Sequence, residues 1–226
     1  MLFRIYKYYI STPFNKLFWF LTRISSKKKF IYFFNLFCFL NNYKERIYFK
    51  DDSFFFKNKN WTFSEQRLGF TAYAKGFKER IDSLKDNYAI NNLEFKDNDV
   101  IIDIGANNGD FYLCFDKKIE YYGIEPSPTV FLNLEYNVKN QNLINKGVWS
   151  SSIKEIEFFL KDESGDSSII PINNFIKKIK IETTTLDEII DKINKPIKLI
   201  KIEAEGAEPE ILEGFKKNLD NTKYIT

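Results

Sequence analysis

Three short apolar runs constrain this chain more than any other feature. Asp99–Ile104 and Ile197–Ile202 read as buried strands, and Tyr121–Glu125 as a further strand between them. Helical patterns separate them. Ser127-Pro128 opens one, with Ser as N-cap, Pro in the first turn, and Val130, Leu134 and Val138 four apart. Thr185-Leu186-Asp187-Glu188 forms a capping box ahead of Ile189, Ile190 and Ile193, and Pro209 starts a helix carrying Ile211, Leu212, Phe215 and Leu219. Ile144–Trp149 and Ile156–Leu160 read as further strands. Strands alternating with helices predict an α/β domain with a parallel sheet and helices on both faces.

Chemistry concentrates where the first strand ends. Asp103-Ile104 runs into Gly105-Ala106-Asn107-Asn108-Gly109-Asp110, followed by Phe111–Phe115, a strand–glycine loop–helix pattern. Gly105 and Gly109 let the backbone turn sharply and come close to a ligand, and a helix start presents free N–H groups. Glu125 closes the next strand, 22 residues after Asp103. An acid there can accept both hydroxyls of a ribose, and ligands of open parallel sheets lie beyond the carboxyl ends of the strands. The loop is G-x-x-x-G rather than G-x-G-x-x-G and has no P-loop lysine. A nucleoside without phosphate therefore fits better than a dinucleotide, and S-adenosylmethionine is the expected ligand. Asp103 and the loop backbone would hold its amino-acid end and Glu125 its ribose. An ordinary βα turn, with glycines for packing, is the alternative.

Composition narrows the rest. The chain has 226 residues and no histidine, which removes Ser–His–Asp and Cys–His hydrolases, H-E-x-x-H zinc enzymes and facial-triad iron oxygenases. Cys38 and Cys114 match no metal spacing and read as free thiols in a reducing, cytoplasmic setting. Residues 1–60 carry 12 Lys/Arg against 3 Asp/Glu and half of the 40 aromatic residues, whereas residues 61–226 carry 22 against 28. The expectation is a basic, aromatic, mainly helical extension over 1–60 and an acidic globular domain over 61–226.

No secretory signal is evident around Arg4, Lys7, Tyr8 and Tyr9. The apolar patches Phe14–Ile24 and Phe30–Leu40 are each about half a bilayer span and are split by Lys27-Lys28-Lys29. Phe14, Leu17, Phe18 and Leu21 recur at helical spacing and suit a cap packed on the domain. Interfacial contact at the inner face of a membrane is the second use of such a segment. Nucleic-acid binding is weaker, because no recognised motif accompanies the basic residues.

The ordered segments Asp103–Asp110, Gly123-Ile124-Glu125-Pro126-Ser127-Pro128, Thr185-Leu186-Asp187 and Ile202-Glu203-Ala204-Glu205-Gly206-Ala207-Glu208 resemble the motifs of FkbM-type methyltransferases. Trp61–Tyr88 is similar to the lead-in of some members, so the resemblance covers about residues 61–226. It implies a Rossmann-like class I methyltransferase fold, S-adenosylmethionine as donor, and O-methylation of sugars, glycan precursors or other small hydroxylated metabolites. On it, Asp103, Gly105, Ala106, Asn107, Gly109, Asp110, Glu125 and Pro126 fall in the cofactor site. Glu203, Glu205 and Glu208 fall in the late acidic motif, where the family usually has Asp followed by a β-branched residue and this chain has Glu203-Ala204. Class I enzymes normally add a closing β-hairpin. Lys223–Thr226 has the pattern of a strand opening, so the expectation is a domain whose final hairpin is shortened.

A hydroxyl acceptor must lose its proton. Without histidine, Glu203 or Glu205 is the first choice as general base or as ligand to a hard divalent ion, with Asp110 and Asp166 in reserve. Helix-start capping is the plainer use of these acids. Gly165-Asp166-Ser167-Ser168 resembles a family loop near the active site and equally suits a surface turn. Two other functions stay open: a noncatalytic relic of the fold acting as a scaffold, and a nucleic-acid methyltransferase, disfavoured by the acidic domain and by the lack of an N-P-P-[YF]-type motif. No oligomeric state is specified.

Overall fold

A computed structural model describes residues 11–161 and 166–226, with side chains except those of residues 11–15, 23 and 24. Of the residues singled out above, Arg4, Lys7, Tyr8, Tyr9, Gly165 and the Phe14 side chain lie outside that description. The chain divides into two compact units, one ending at Arg80 and the other opening at Ile81.

In the first unit, α1 (Ser11–Ile24) and α2 (Lys27–Leu40) span the two apolar patches. A three-stranded antiparallel sheet follows, β1 (Ile47–Lys50), β2 (Ser53–Phe56) and β3 (Thr62–Phe63), then α3 (Gln66–Tyr73). The strands are an addition to the expected helical extension. Asp51 and Asp52 at the β1–β2 turn both have positive φ, 48° and 56°, which two-residue hairpin turns require. Phe30, Phe34 and Phe37 of α2 pack edge-on against Phe54, Phe56 and Phe70, with ring centroids 4.9, 6.3 and 5.0 Å apart. Because Phe63, Phe70, Tyr73 and Phe77 complete this aromatic core, the unit extends some twenty residues beyond the expected boundary at 60.

Helix α4 (Phe77–Asn87) leads into the second unit. Its sheet consists of β4 (Val100–Ile104), β5 (Glu120–Ile124), β6 (Asn142–Ile144) and a late strand, all parallel, in the order late strand–β4–β5–β6. Helix α5 (Pro128–Asn137) connects β5 to β6. After β6 come β7 (Gly147–Val148), the antiparallel hairpin β8 (Ile156–Leu160) and β9 (Lys177–Ile181), and β10 (Thr183–Thr184), which pairs with β7. Helix α6 (Leu186–Ile193), the late strand β11 (Ile197–Ile202) and α7 (Glu208–Glu213) complete the order. Beyond α7, Lys223–Thr226 runs parallel to β11, its amide and carbonyl groups exchanging 2.9 Å bonds with Ile197, Ile200 and Ile202, as the strand pattern there predicts.

One face of this sheet is a single aliphatic core. Val100, Ile102 and Ile104 meet Leu186, Ile189, Ile190 and Ile193 of α6 and Ile211 of α7. Thr185 caps α6, its hydroxyl accepting from the Glu188 amide at 3.1 Å. Glu188 does not reach back to complete the box. Its carboxylate takes the hydroxyls of Ser152 and Thr184.

Two expected helices are shorter. Helix α7 stops at Glu213 instead of continuing to Leu219, because the Asp187 carboxylate accepts the amides of Lys216, Lys217 and Asn218, each at 2.9 Å. After the glycine loop a five-residue 3₁₀ turn, Asp110–Cys114, replaces an α-helix. Ten residues separate Gly109 from β5, too few for a full helical crossover between parallel neighbours.

Candidate active site

The site grows from the end of β4. The chain turns through three left-handed residues in five: Gly105 (φ 71°), Asn107 (φ 49°) and Gly109 (φ 87°). The amides of Gly105 and Ala106 both donate to the Ile124 carbonyl, at 3.0 and 2.9 Å, which lashes the loop to the end of β5. The Gly109 amide closes the turn on the Ala106 carbonyl at 2.8 Å.

What the glycines make room for differs from expectation. A Cβ on Gly105 would stand 1.9 Å from the Glu203 carbonyl oxygen, and one on Gly109 would stand 2.3 Å from Val138 Cγ2. Both serve close approach of the chain to itself. Gly105 thereby brings the acidic segment after β11 against the glycine loop, so the two motifs share one place.

Glu125 lies directly beneath the loop and is buried. Its Oε2 accepts from the Asn107 amide at 3.0 Å and its Oε1 from the Ser127 amide at 2.8 Å. Burial pushes its carboxyl up from the ordinary 4.5 to about 7; the two amides and the Lys201 ammonium pull the other way without cancelling it. A carboxylate offers about four lone-pair sites, so two protein donors leave capacity for a diol. Asn145 fixes the exit from β5, its amide nitrogen donating to the carbonyls of Glu125 at 2.8 Å and Pro126 at 3.2 Å.

The side-chain oxygens of Asn107 and Asn108 are buried and have no hydrogen-bond partner among the described residues. Buried amide oxygens are normally paired, so an unpaired one in this loop marks a place for a ligand donor. Glu125 and the Asn107 oxygen together suit a nucleoside that carries a ribose diol and an ammonium group.

Asp103 is completely enclosed. Its Oδ1 accepts from Lys201 Nζ at 2.9 Å and its Oδ2 from the Tyr121 hydroxyl. It anchors the loop from below, and the open acceptor is on Asn107. Lys201 is the residue that sequence reading missed. It sits opposite Asp103 in the β11–β4 register, is 3% exposed, and also donates to the Gly105 carbonyl at 3.0 Å and the Ile104 carbonyl at 3.4 Å. Burial alone would lower the pKa of its ammonium; the charges of Asp103 and Glu203 outweigh that and raise it. Of the two lysines that interrupt this apolar strand, Lys198 and Lys201, the second is the buried one, and a cation flanked by Ile200 and Ile202 is the signal that could have found it. Asp110 is buried at the head of the 3₁₀ turn.

Glu203 and Glu205 are both exposed. Glu203 Oε2 accepts from the Tyr88 hydroxyl at 2.5 Å and stands 3.4 Å from Lys201 Nζ. Glu205 is held left-handed (φ 51°), and Ser168 Oγ donates to its carbonyl at 2.9 Å. Although the side chain is exposed, the chain around it partly desolvates the carboxyl, and this, then the neighbouring charges of Asp166, Glu203 and Glu208, raise its pKa; Lys161, which pairs with Asp166 at 3.1 Å, partly offsets them. Glu208 takes the capping role, accepting the Ala204 amide at 2.8 Å. The structure thus gathers Glu203, Glu205, Asp166 and Ser168 beside the glycine loop.

A parallel sheet with connecting helices, a glycine loop and a buried acid at its carboxyl edge places the second unit in the α/β class and is compatible with a methyltransferase fold. The chain belongs to the FkbM methyltransferase domain family, whose model matches residues 103–226. It is 26% identical over 184 residues to 2-O-methyltransferase NoeI of Sinorhizobium fredii, an alignment covering 71% of this chain and 74% of that protein. It is 25% identical over 143 residues to hexuronic acid methyltransferase AglP of Haloferax volcanii, covering 58% of this chain and just over half, 56%, of that protein. No solved structure matches.

Proposed function

We propose that this chain uses S-adenosylmethionine to methylate a hydroxyl of a sugar or glycan precursor. The observation that carries the reading is Glu125, a buried carboxylate closed onto a left-handed loop that also holds the unpaired Asn107 oxygen. Glu125 would take the ribose hydroxyls, and the Asn107 oxygen would take the amino group. Bound there, S-adenosylmethionine supplies a methyl group already activated by its sulfonium. The protein's tasks are then alignment and proton removal. Glu205, its carboxyl raised by desolvation and neighbouring acids, or Glu203, held by Tyr88, would accept the acceptor's proton. The names of NoeI and AglP support a sugar as acceptor. Two buried cysteines that form no disulfide, Cys38 and Cys114, support a cytoplasmic setting.

The test is transfer of labelled methyl from S-adenosylmethionine to a panel of free, nucleotide-linked and lipid-linked sugars, with the product identified by mass. A methyl ether on a sugar hydroxyl, with kcat lowered about 100-fold by Glu205→Gln or Glu203→Gln, is the expected result. Cofactor binding without transfer to any member of the panel would favour a noncatalytic relic.

A further inference from the structure

Helix α2 is apolar on two sides, and the first unit covers only one of them. The inner side, Phe30, Phe34, Phe37 and Cys38, is consumed by the aromatic core. Asn35 pins the helix to β1, its side chain exchanging bonds of 3.0 and 2.8 Å with the backbone of Ile47. On the outer side Tyr32 is 64% exposed and Phe39 68%, whereas an apolar stripe on a helix ordinarily faces a core. These rings flank an open apolar groove of about 610 Å³ whose other walls are Ile31 and Leu36, with Lys28 and Arg46 supplying charge.

We propose that this outer stripe of α2 docks the first unit onto a membrane surface rich in anionic phospholipid. Charge complementarity selects the partner. Lys27, Lys28 and Lys29 stand together at the start of the helix with no acid in its first turn. Lys27 pairs with Asp52 at 3.0 Å, and Lys28 and Lys29 hold no ion pair among the described residues. The surrounding residues 1–60 carry 12 cationic against 3 anionic side chains. Tyr and Phe favour the headgroup zone, and lysines beside them meet lipid phosphate.

Depth follows from length. Among the described residues no helix is long and apolar enough to cross a membrane, so α2 lies in the interface with its outer stripe down. A second copy of the chain fits less well. One helix face about 21 Å by 10 Å covers on the order of 200 Å², against roughly 800 Å² per partner in a stable dimer.

The full chain is mixed with vesicles of phosphatidylcholine alone or with 30% phosphatidylglycerol, sedimented, and the bound fraction measured at low and high salt. Binding to the anionic vesicles should exceed binding to the neutral ones at least fivefold and fall in high salt. Lys28→Glu should lower partitioning at least fivefold, and the double substitution Tyr32→Ser, Phe39→Ser about tenfold or more. Because these side chains are largely exposed, melting temperature should stay within a degree or two, and methyl transfer to a soluble acceptor should be unchanged. That separates failure here from failure of the methyl-transfer reading. Equal binding by wild type and both variants, or no preference for anionic lipid, would overturn the proposal. So would a dimer in sedimentation velocity that these substitutions dissolve, which would give the stripe to a second copy.

Discussion

Replacing Lys201 by methionine keeps most of the side-chain volume and removes one charge from a place water does not reach. The Lys201 and Asp103 side chains are 4% and 0% exposed and 2.9 Å apart, and the same ammonium holds the carbonyls of Gly105 and Ile104. Without it, among the described residues Asp103 keeps only the Tyr121 hydroxyl, as donor to its second oxygen. Removing one partner of a buried pair costs about 3–5 kcal/mol. For a chain of this size each kcal/mol moves the melting temperature by about 2–4 °C, so Lys201→Met should lower it by roughly 6–20 °C. The companion variant is Lys201→Met with Asp103→Asn, which removes both charges and leaves an amide oxygen for Tyr121. It should recover much of the loss, with a coupling of about 2 kcal/mol or more between the sites. Thermal melts followed by circular dichroism, with urea titrations for the free energies, read all four corners of the cycle. A single substitution costing under about 1 kcal/mol, or strictly additive effects in the double, would refute the ion pair's role.

Glu125 gives a pH dependence with a definite sign. With its carboxyl raised from 4.5 to about 7 by burial, the folded state holds a proton that the unfolded state releases, so stability should fall as pH rises through that window and level off above it. Glu125→Gln should flatten the slope, measured as melting temperature against pH; an unchanged slope would assign it elsewhere. Gly105→Ala forces a Cβ to 1.9 Å from the Glu203 carbonyl at positive φ, whereas Gly206→Ala meets nothing within 4 Å and carries only the φ strain. The first should abolish folding of the loop and ligand binding, and the second should cost about 1–2 kcal/mol, read by urea denaturation. Asp187→Ala releases three amides at the end of α7 and should destabilise by about 2–3 kcal/mol in the same assay, with little change in ligand affinity.

The aliphatic runs at Val100–Ile104 and Ile197–Ile202 announce their strands because burial on both faces leaves little room for any other pattern. Thr185 announces the start of α6 because a cap is local chemistry. Legibility ends where a distant residue decides. Helix α7 stops early because Asp187, far back in the chain, captures the amides that would have continued it. Gly105 is glycine because Glu203, ninety-eight residues later, brings a carbonyl against it. The β1–β2 hairpin hides in a run of aromatic residues that also suits a helix, and its only local mark is the Asp51-Asp52 pair. Glu125 stands out by its spacing from Asp103, but its two backbone donors become visible only when the loop folds over it. Lys201 reads as one of two lysines interrupting an apolar strand, like Lys198, until the β11–β4 register sets it opposite Asp103.

Isothermal titration of the full chain with S-adenosylhomocysteine tests the nucleoside site most directly. One-site binding that Glu125→Gln weakens at least tenfold, while its circular dichroism spectrum stays that of the wild type, is the result expected of a carboxylate that grips the ribose. Binding of equal strength in the folded Gln variant, or none in the wild type, would contradict a nucleoside cradle between the glycine loop and Glu125.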